Sequence, residues 1–158
     1  MKKSILIIFF LMPLILFGGK YGIGIIIGSP TGFTGKYMFA KRSAIAVHAG
    51  WSLFGSKKFH GTCDYQFLFP TTLRYYDEYE DKTTEITNLV PYIGIGGRLL
   101  LKDDPGGDTE INVGMRLGGG IEYLFSRFGI FLELFPVVNI IPDTDFDMEG
   151  GLGFRFYF

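Results

Sequence analysis

The chain has 158 residues, enough for one domain and too few for two of ordinary size. Its 15 Lys and Arg against 16 Asp and Glu give a net charge of −1, which excludes the strongly basic surface of a nucleic-acid binder. A single cysteine, Cys63, excludes an internal disulfide framework and a cysteine-built metal site, while 17 Phe, 9 Tyr and 23 Gly favour strands and tight turns over helices.

Met1 to Gly19 begins with Lys2 and Lys3, continues through an apolar stretch from Ile5 to Phe17, and ends in Gly18-Gly19 before polarity returns at Lys20. That is the layout of a secretory signal peptide. The apolar stretch is shorter than the ~20 residues of a spanning helix and is interrupted by Pro13. The expectation is a leader over 1–19 and one exported domain over 20–158.

From Tyr21 onward the periodicity is two, not 3.6, which is the pattern of half-buried strands. The first run sets Tyr21, Ile23, Ile25 and Ile27 against Gly22, Gly24 and Gly28, and Ser29-Pro30-Thr31-Gly32 turns the chain. The second, Phe33 to Ala40, opposes Phe33, Tyr37 and Phe39 to Thr34 and Lys36, and ends in a turn at Lys41-Arg42-Ser43. In the third, Ile45, Val47, Ala49, Trp51 and Leu53 alternate with Ala44, Ala46, His48, Gly50 and Ser52. After a turn around Ser56, the fourth places Phe59, Cys63, Tyr65, Phe67 and Phe69 opposite His60, Thr62, Asp64 and Gln66. The polar stretch from Thr71 to Asn88 reads as a loop or as an extension of the strands beside it.

The fifth run, Pro91 to Leu101, opposes Ile93, Ile95, Leu99 and Leu101 to Tyr92, Gly94, Gly96 and Arg98, and Asp103 to Asp108 is a turn cluster. The sixth alternates Ile111, Val113, Met115, Leu117, Ile121 and Tyr123 with Asn112, Gly114, Arg116, Gly118, Gly120 and Glu122. The seventh, Phe128 to Val138, sets Ile130, Leu132 and Leu134 against Gly129, Phe131 and Glu133, and Pro142 to Asp147 reads as the last loop. The eighth opposes Leu152, Phe154, Phe156 and Phe158 to Gly151, Gly153, Arg155 and Tyr157. Eight strands joined to their sequence neighbours make an all-β, antiparallel up-and-down meander, and closing it into a barrel removes its edges.

Alternation alone does not say whether the apolar phase meets a core or lipid. Three features favour lipid, the first being the leader-like segment 1–19, which directs the chain out of the cytoplasm. The polar phase is mostly glycine with about one charge per strand, too sparse for a solvated surface. The aromatic residues of the apolar phase also gather at strand ends: Tyr21, Phe39, Phe67, Phe69, Tyr123, Phe156 and Phe158 toward one rim, and Phe33, Trp51 and Phe59 toward the other, as in interfacial girdles. On this reading Lys36, Arg98, Arg116 and Arg155 point into the barrel, with Asp64, Glu122, Glu133 and Glu149 as counter-charges and His48 and His60 on the same phase. An eight-stranded interior is filled by its own side chains, so these residues are expected to form an ion-pair network, tolerable when buried only because it is paired. The alternative is a narrow gated channel for ions or small solutes, opened by breaking an Arg116–Glu133 or Arg155–Glu149 pair.

Catalysis finds little support. Ser52 and His48 lie four residues apart along one strand, too far for a nucleophile and its base, and Ser126 sits in a turn without a nearby histidine. His48, His60 and Asp64 could form a zinc site across adjacent strands, but two isolated histidines are more often ordinary hydrogen-bonding residues. Gly94-x-Gly96 and Gly118-Gly119-Gly120 precede no helix and are not phosphate loops. The expectation is a non-enzymatic protein with no cofactor and no metal.

The final strand, Gly153-Phe154-Arg155-Phe156-Tyr157-Phe158, resembles the C-terminal signal of outer-membrane proteins. The resemblance implies recognition of Phe154, Phe156 and Phe158 by the barrel-assembly machinery. The layout of residues 20–158 is similar to the small eight-stranded barrels, such as the transmembrane domain of outer-membrane protein A and outer-membrane protein X. The segments Gly28-Ser29-Pro30-Thr31-Gly32 and Pro91-Tyr92-Ile93-Gly94-Ile95-Gly96-Gly97-Arg98 resemble a family of small outer-membrane barrels, which implies fold and location but no activity. Together these resemblances imply an outer-membrane protein, monomeric, with the lipid bilayer as its partner and no nucleic acid. Parity would then put the long segment 71–88 on the periplasmic side, where turns are ordinarily short.

Overall fold

The computed structural model describes residues 19–51, 57–77, 82–103 and 106–158; residues 1–18 of the expected leader, with Ser52, Leu53 and Ser56, lie outside them. Every regular element described is a strand: β1 (Tyr21–Gly28), β2 (Thr31–Ala40), β3 (Ser43–Trp51), β4 (Lys57–Leu68), β5 (Thr71–Asp77), β6 (Lys82–Asp103), β7 (Thr109–Phe125), β8 (Phe128–Ile141) and β9 (Asp145–Tyr157). Hydrogen bonding runs in the order β4-β3-β2-β1-β9-β8-β7-β6, and a β4–β6 pairing closes the ring. All pairings are antiparallel, so eight strands form a closed up-and-down barrel.

The ninth strand is the fate of the polar segment. β5 pairs with the first part of β6, from Thr71↔Leu89 to Asp77↔Lys82, while β4 and β7 take up the rest of β6. The segment is therefore an extension of the flanking strands, a two-stranded arm. It leaves the barrel where β1 begins and β9 ends, here called the proximal rim. The opposite, distal rim carries the β1–β2, β6–β7 and β8–β9 connections.

Several residues read as turns belong to strands: Thr31 and Gly32 begin β2, Asp103 ends β6, and the starts of β3 and β9 also shift. The turn after β2 is Lys41–Arg42 alone, because Ser43 already pairs with Phe67. The last loop is shorter than Pro142 to Asp147: Asp145, Phe146 and Asp147 belong to β9 and pair with Asn139, Val138 and Val137. Alternation persists there, with Phe146 exposed and Glu149 buried, but acidic residues beside Pro142 imitate a turn. At the β1–β2 connection Gly28 has φ of +148°, a region open to glycine; its N–H donates to Thr31 Oγ1 at 3.0 Å, and that hydroxyl donates back to the Gly28 carbonyl at 2.9 Å.

The two faces of the wall are inverted relative to a water-soluble barrel. Outward lie Ile23, Ile25, Ile95, Leu117, Leu132 and Leu152, all exposed, with Leu117 at 64%. Inward lie Lys36, His48, His60, Asp64, Arg98, Arg116, Glu122, Glu133, Glu149 and Arg155, all buried. Aromatic rings form a nearly continuous series at the proximal rim: Tyr123–Phe125 at 6.2 Å, Phe125–Phe128 at 5.7 Å, Phe128–Phe156 at 5.3 Å, Phe156–Phe158 at 6.3 Å, Phe158–Tyr21 at 6.2 Å and Tyr21–Tyr37 at 4.8 Å between centroids.

Candidate functional site: the charged lumen

Glycines of the inward phase determine which side chains can meet. Neighbouring strands stand ~4.8 Å apart, so a long side chain reaches a partner two strands away only if the residue between has no side chain. Arg155, Gly24 and Thr34 are in register across β9, β1 and β2, and Arg155 Nε donates to Thr34 Oγ1 at 3.0 Å over Gly24. Tyr92, Gly120 and Glu133 are in register across β6, β7 and β8, and the Tyr92 hydroxyl donates to Glu133 Oε2 at 2.9 Å over Gly120. Arg116 reaches Asp64 over Gly96, Nε to Oδ1 at 3.0 Å, and Arg98 reaches the Asn139 side-chain oxygen over Gly114. A methyl group at Gly120 would lie 2.6 Å from the Tyr92 hydroxyl, and one at Gly114 would lie 2.9 Å from Asn139 Oδ1.

Three glutamates act as hubs. Glu122 on β7 takes Lys36 Nζ at 2.8 Å, Arg155 Nη1 at 3.4 Å and the Tyr157 hydroxyl at 2.5 Å. Glu133 on β8 takes the Tyr92 hydroxyl, Arg116 Nη2 at 3.5 Å and His48 Nε2 at 3.3 Å. Glu149 on β9 takes Arg98 Nη1 at 2.6 Å, Arg116 Nη1 at 2.8 Å and His60 Nε2 at 2.8 Å. Arg116 links the second and third hubs. Arg98 also meets Asp147 Oδ2 at 2.7 Å, where the network approaches the distal mouth and the Asp147 side chain is 42% exposed.

Aromatic plates complete the packing. The Arg155 guanidinium carbon lies 3.6 Å from the Phe131 ring centre and that of Arg116 lies 4.1 Å from Phe135, while Lys36 Nζ lies 4.8 Å from the Tyr92 ring. Near the proximal end an apolar cluster of Ala44, Leu68, Val90, Tyr92 and Phe135, with Met38 and Leu124 against it, caps the charged interior.

All ten inward residues named from the sequence thus share one lumen. Of the two specific pairs expected, Arg116–Glu133 forms, but Arg155–Glu149 does not: Arg155 turns to Glu122. The alternation fixes the face of each residue but not its partner, and Arg155 and Glu149 stand six residues apart on β9, about 20 Å along the strand and beyond the reach of their side chains. His48, His60 and Asp64 face Glu133, Glu149 and Arg116 instead of one another, and among the described residues no group of three or more metal-ligating side chains could hold an ion. Ser126 lies in the β7–β8 turn with φ of 54°. Thr34, Tyr92, Asn139, Asp147 and Tyr157 join the network without having been singled out; for all but Asp147, which pairs with Val137, an inward phase opposite glycine was the available signal.

One wall is less well satisfied than the other. On β3 and β4, Thr62 Oγ1, both amide atoms of Gln66 and the Nδ1 atoms of His48 and His60 are buried without a hydrogen-bond partner among the described residues. No protein-family model, no curated protein and no solved structure matches the chain.

Proposed function

We propose that the chain is an integral outer-membrane β-barrel with a structural or surface-interaction role, its lumen closed by ion pairs. The observation that carries this is the inverted wall, apolar outside and charged inside. A water-facing barrel would place the ten charged and imidazole side chains outward and the isoleucines inward, whereas lipid solvates this outer face and leaves every backbone group satisfied by the closed ladder. β1 to β4 have 8, 10, 9 and 12 residues, close to the ~9–11 of a tilted transmembrane strand, while β7, β8 and β9, with 17, 14 and 13, extend beyond that span. The proximal aromatic ring would sit at one interface. The leader-like segment 1–19 and the alternating Phe154, Phe156 and Phe158 support export and handling by the barrel-assembly machinery. The reading assigns no catalytic step, no cofactor and a monomeric state.

The test is extraction and heat modifiability. The chain expressed in a bacterium should fractionate with outer membranes, require detergent, and migrate faster unboiled than boiled with a strand-rich circular dichroism spectrum. A monomer soluble without detergent would overturn the reading.

The unpartnered polar atoms of β3 and β4 favour a second reading, a small gated channel, because buried polar groups of this kind are ordinarily satisfied by water. Planar-bilayer recording separates the two. A closed lumen gives no resolved steps, and a channel gives steps altered by Arg116→Gln or Glu133→Gln.

A further inference from the structure

The two rims carry opposite charge. At the proximal rim Lys20 precedes β1, Lys41 and Arg42 make the β2–β3 turn, and Arg127 lies in the β7–β8 turn, all four exposed. At the distal rim β4 begins with Lys57 and Lys58 and Lys102 is half-buried, but the exposed charges of the β6–β7 and β8–β9 connections, Asp108, Glu110, Asp143 and Asp145, are all acidic. The acidic residues on the proximal side, Asp77 and Glu85 among them, belong to the arm that leaves the rim at the β4–β6 corner.

The basic residues are fixed at their bases and free at their heads. The Lys20 carbonyl accepts the Met38 N–H at 2.8 Å, the Arg42 carbonyl accepts that of Leu68 at 2.9 Å, and the Arg127 carbonyl accepts that of Tyr157 at 2.7 Å. Three corners of the rim are thereby locked to the last rung of the barrel. None of the four side chains forms an ion pair among the described residues. Immediately inward of them stands the aromatic series from Phe125 and Phe128 through Phe156 and Phe158 to Tyr21 and Tyr37.

Aromatic side chains of a transmembrane barrel settle at the headgroup boundary, so basic groups one rung farther out stand at the height of the lipid phosphates. Guanidinium groups are suited to phosphate oxygens, which they bind in pairs, and lysine supplies a point charge. From this we infer that the proximal rim is a docking collar for anionic phospholipid headgroups, with Lys20, Lys41, Arg42 and Arg127 as its phosphate contacts. The collar rests on the membrane reading above. It sets the depth of the barrel and places this rim in the leaflet that offers anionic phospholipid, while the acidic distal rim is repelled from such a leaflet.

The experiment inserts the full chain, as processed by the expressing cell, into phosphatidylcholine vesicles containing a minor fraction of spin-labelled phosphatidylglycerol or spin-labelled phosphatidylcholine. The fraction of each label immobilised at the protein is then compared. The expected result is a several-fold preference for phosphatidylglycerol that falls as salt is added, each of Lys20→Gln, Lys41→Gln, Arg42→Gln and Arg127→Gln lowering it by a factor of roughly 1.5 so that the four together account for it. Lys102→Gln, at the other rim, removes the same charge and should leave the preference intact. Equal immobilisation of the two labels, or a preference lowered as much by Lys102→Gln as by Arg127→Gln, overturns the collar while leaving the membrane reading standing. Failure to insert into either vesicle overturns both. The single variants lie in exposed turns and keep the test decisive if the fourfold variant does not fold.

Discussion

Removing the charge of Glu122 should destabilise the barrel more than any single change at the other two hubs. Glu122 is buried and is the one ion-pair partner of Lys36 among the described residues, at 2.8 Å; it also holds Arg155 at 3.4 Å. In Glu122→Gln the amide oxygen still accepts the Tyr157 hydroxyl, so shape and one hydrogen bond survive and the loss is electrostatic. An uncompensated buried charge costs about 3–5 kcal/mol. Lys36 keeps only the face of Tyr92, and Arg155 keeps Thr34 and the Phe131 ring, which puts the expected loss near 4 kcal/mol, about a thousandfold in the folding equilibrium. Glu149→Gln should cost less, about 3 kcal/mol, because Arg98 retains Asp147 and Arg116 retains Asp64 and Glu133. The assay is equilibrium urea unfolding in lipid vesicles, followed by the mobility of unboiled samples and by Trp51 fluorescence. Lys36→Met combined with Glu122→Gln should recover at least ~1.5 kcal/mol relative to the sum of the single changes. A loss below ~0.5 kcal/mol for Glu122→Gln, with additive behaviour in the double variant, would mean that the lumen solvates its charges, and the account of a network held by mutual pairing would be wrong.

The same geometry dictates three further outcomes. Gly120→Val should cost at least ~2 kcal/mol in the same unfolding assay, since its first carbon alone would press on the Tyr92 hydroxyl at 2.6 Å and break the Tyr92–Glu133 bond; an unchanged midpoint would sink the spacer argument. Cys63 is a free thiol on the outward face, so in vesicles a lipid-soluble maleimide should label it and a charged, water-soluble one should not; rapid labelling by both would put that face in water. Asp147→Asn should be tolerated within ~1 kcal/mol, because its side chain is 42% exposed and Arg98 keeps Glu149 at 2.6 Å.

The strands were legible because a wall with an apolar and a polar face writes itself as alternation. Ile45, Val47 and Ala49 against Ala44, Ala46 and His48 specify a face at every step, and the inward phase delivered ten residues that the fold gathers into one lumen. Partner choice was not legible. Arg155 and Glu149 stand six residues apart on β9, about 20 Å, which alone rules out a direct pair; that Arg155 meets Thr34 on β2 and Glu122 on β7 depends on the register between strands, which no single strand encodes. The arm was legible only as one of two alternatives, a loop or an extension of the flanking strands; Thr71 to Asn88 has no clear apolar phase in sequence, and the β5–β6 hydrogen bonding decides for the extension. The start of β9 was obscured by Asp145 and Asp147, residues typical of turns, one of which turns inward to meet Arg98.

The proposal that the apolar outer wall faces lipid is tested most directly by Leu117→Arg. Leu117 lies at the midpoint of β7, far from both rims, and is 64% exposed with no charged neighbour on its face. In vesicle unfolding measurements the account predicts a loss of about 2–4 kcal/mol, the depth-dependent penalty of a guanidinium at the bilayer centre. A change within ~0.5 kcal/mol, as expected of a surface substitution in water, would contradict it.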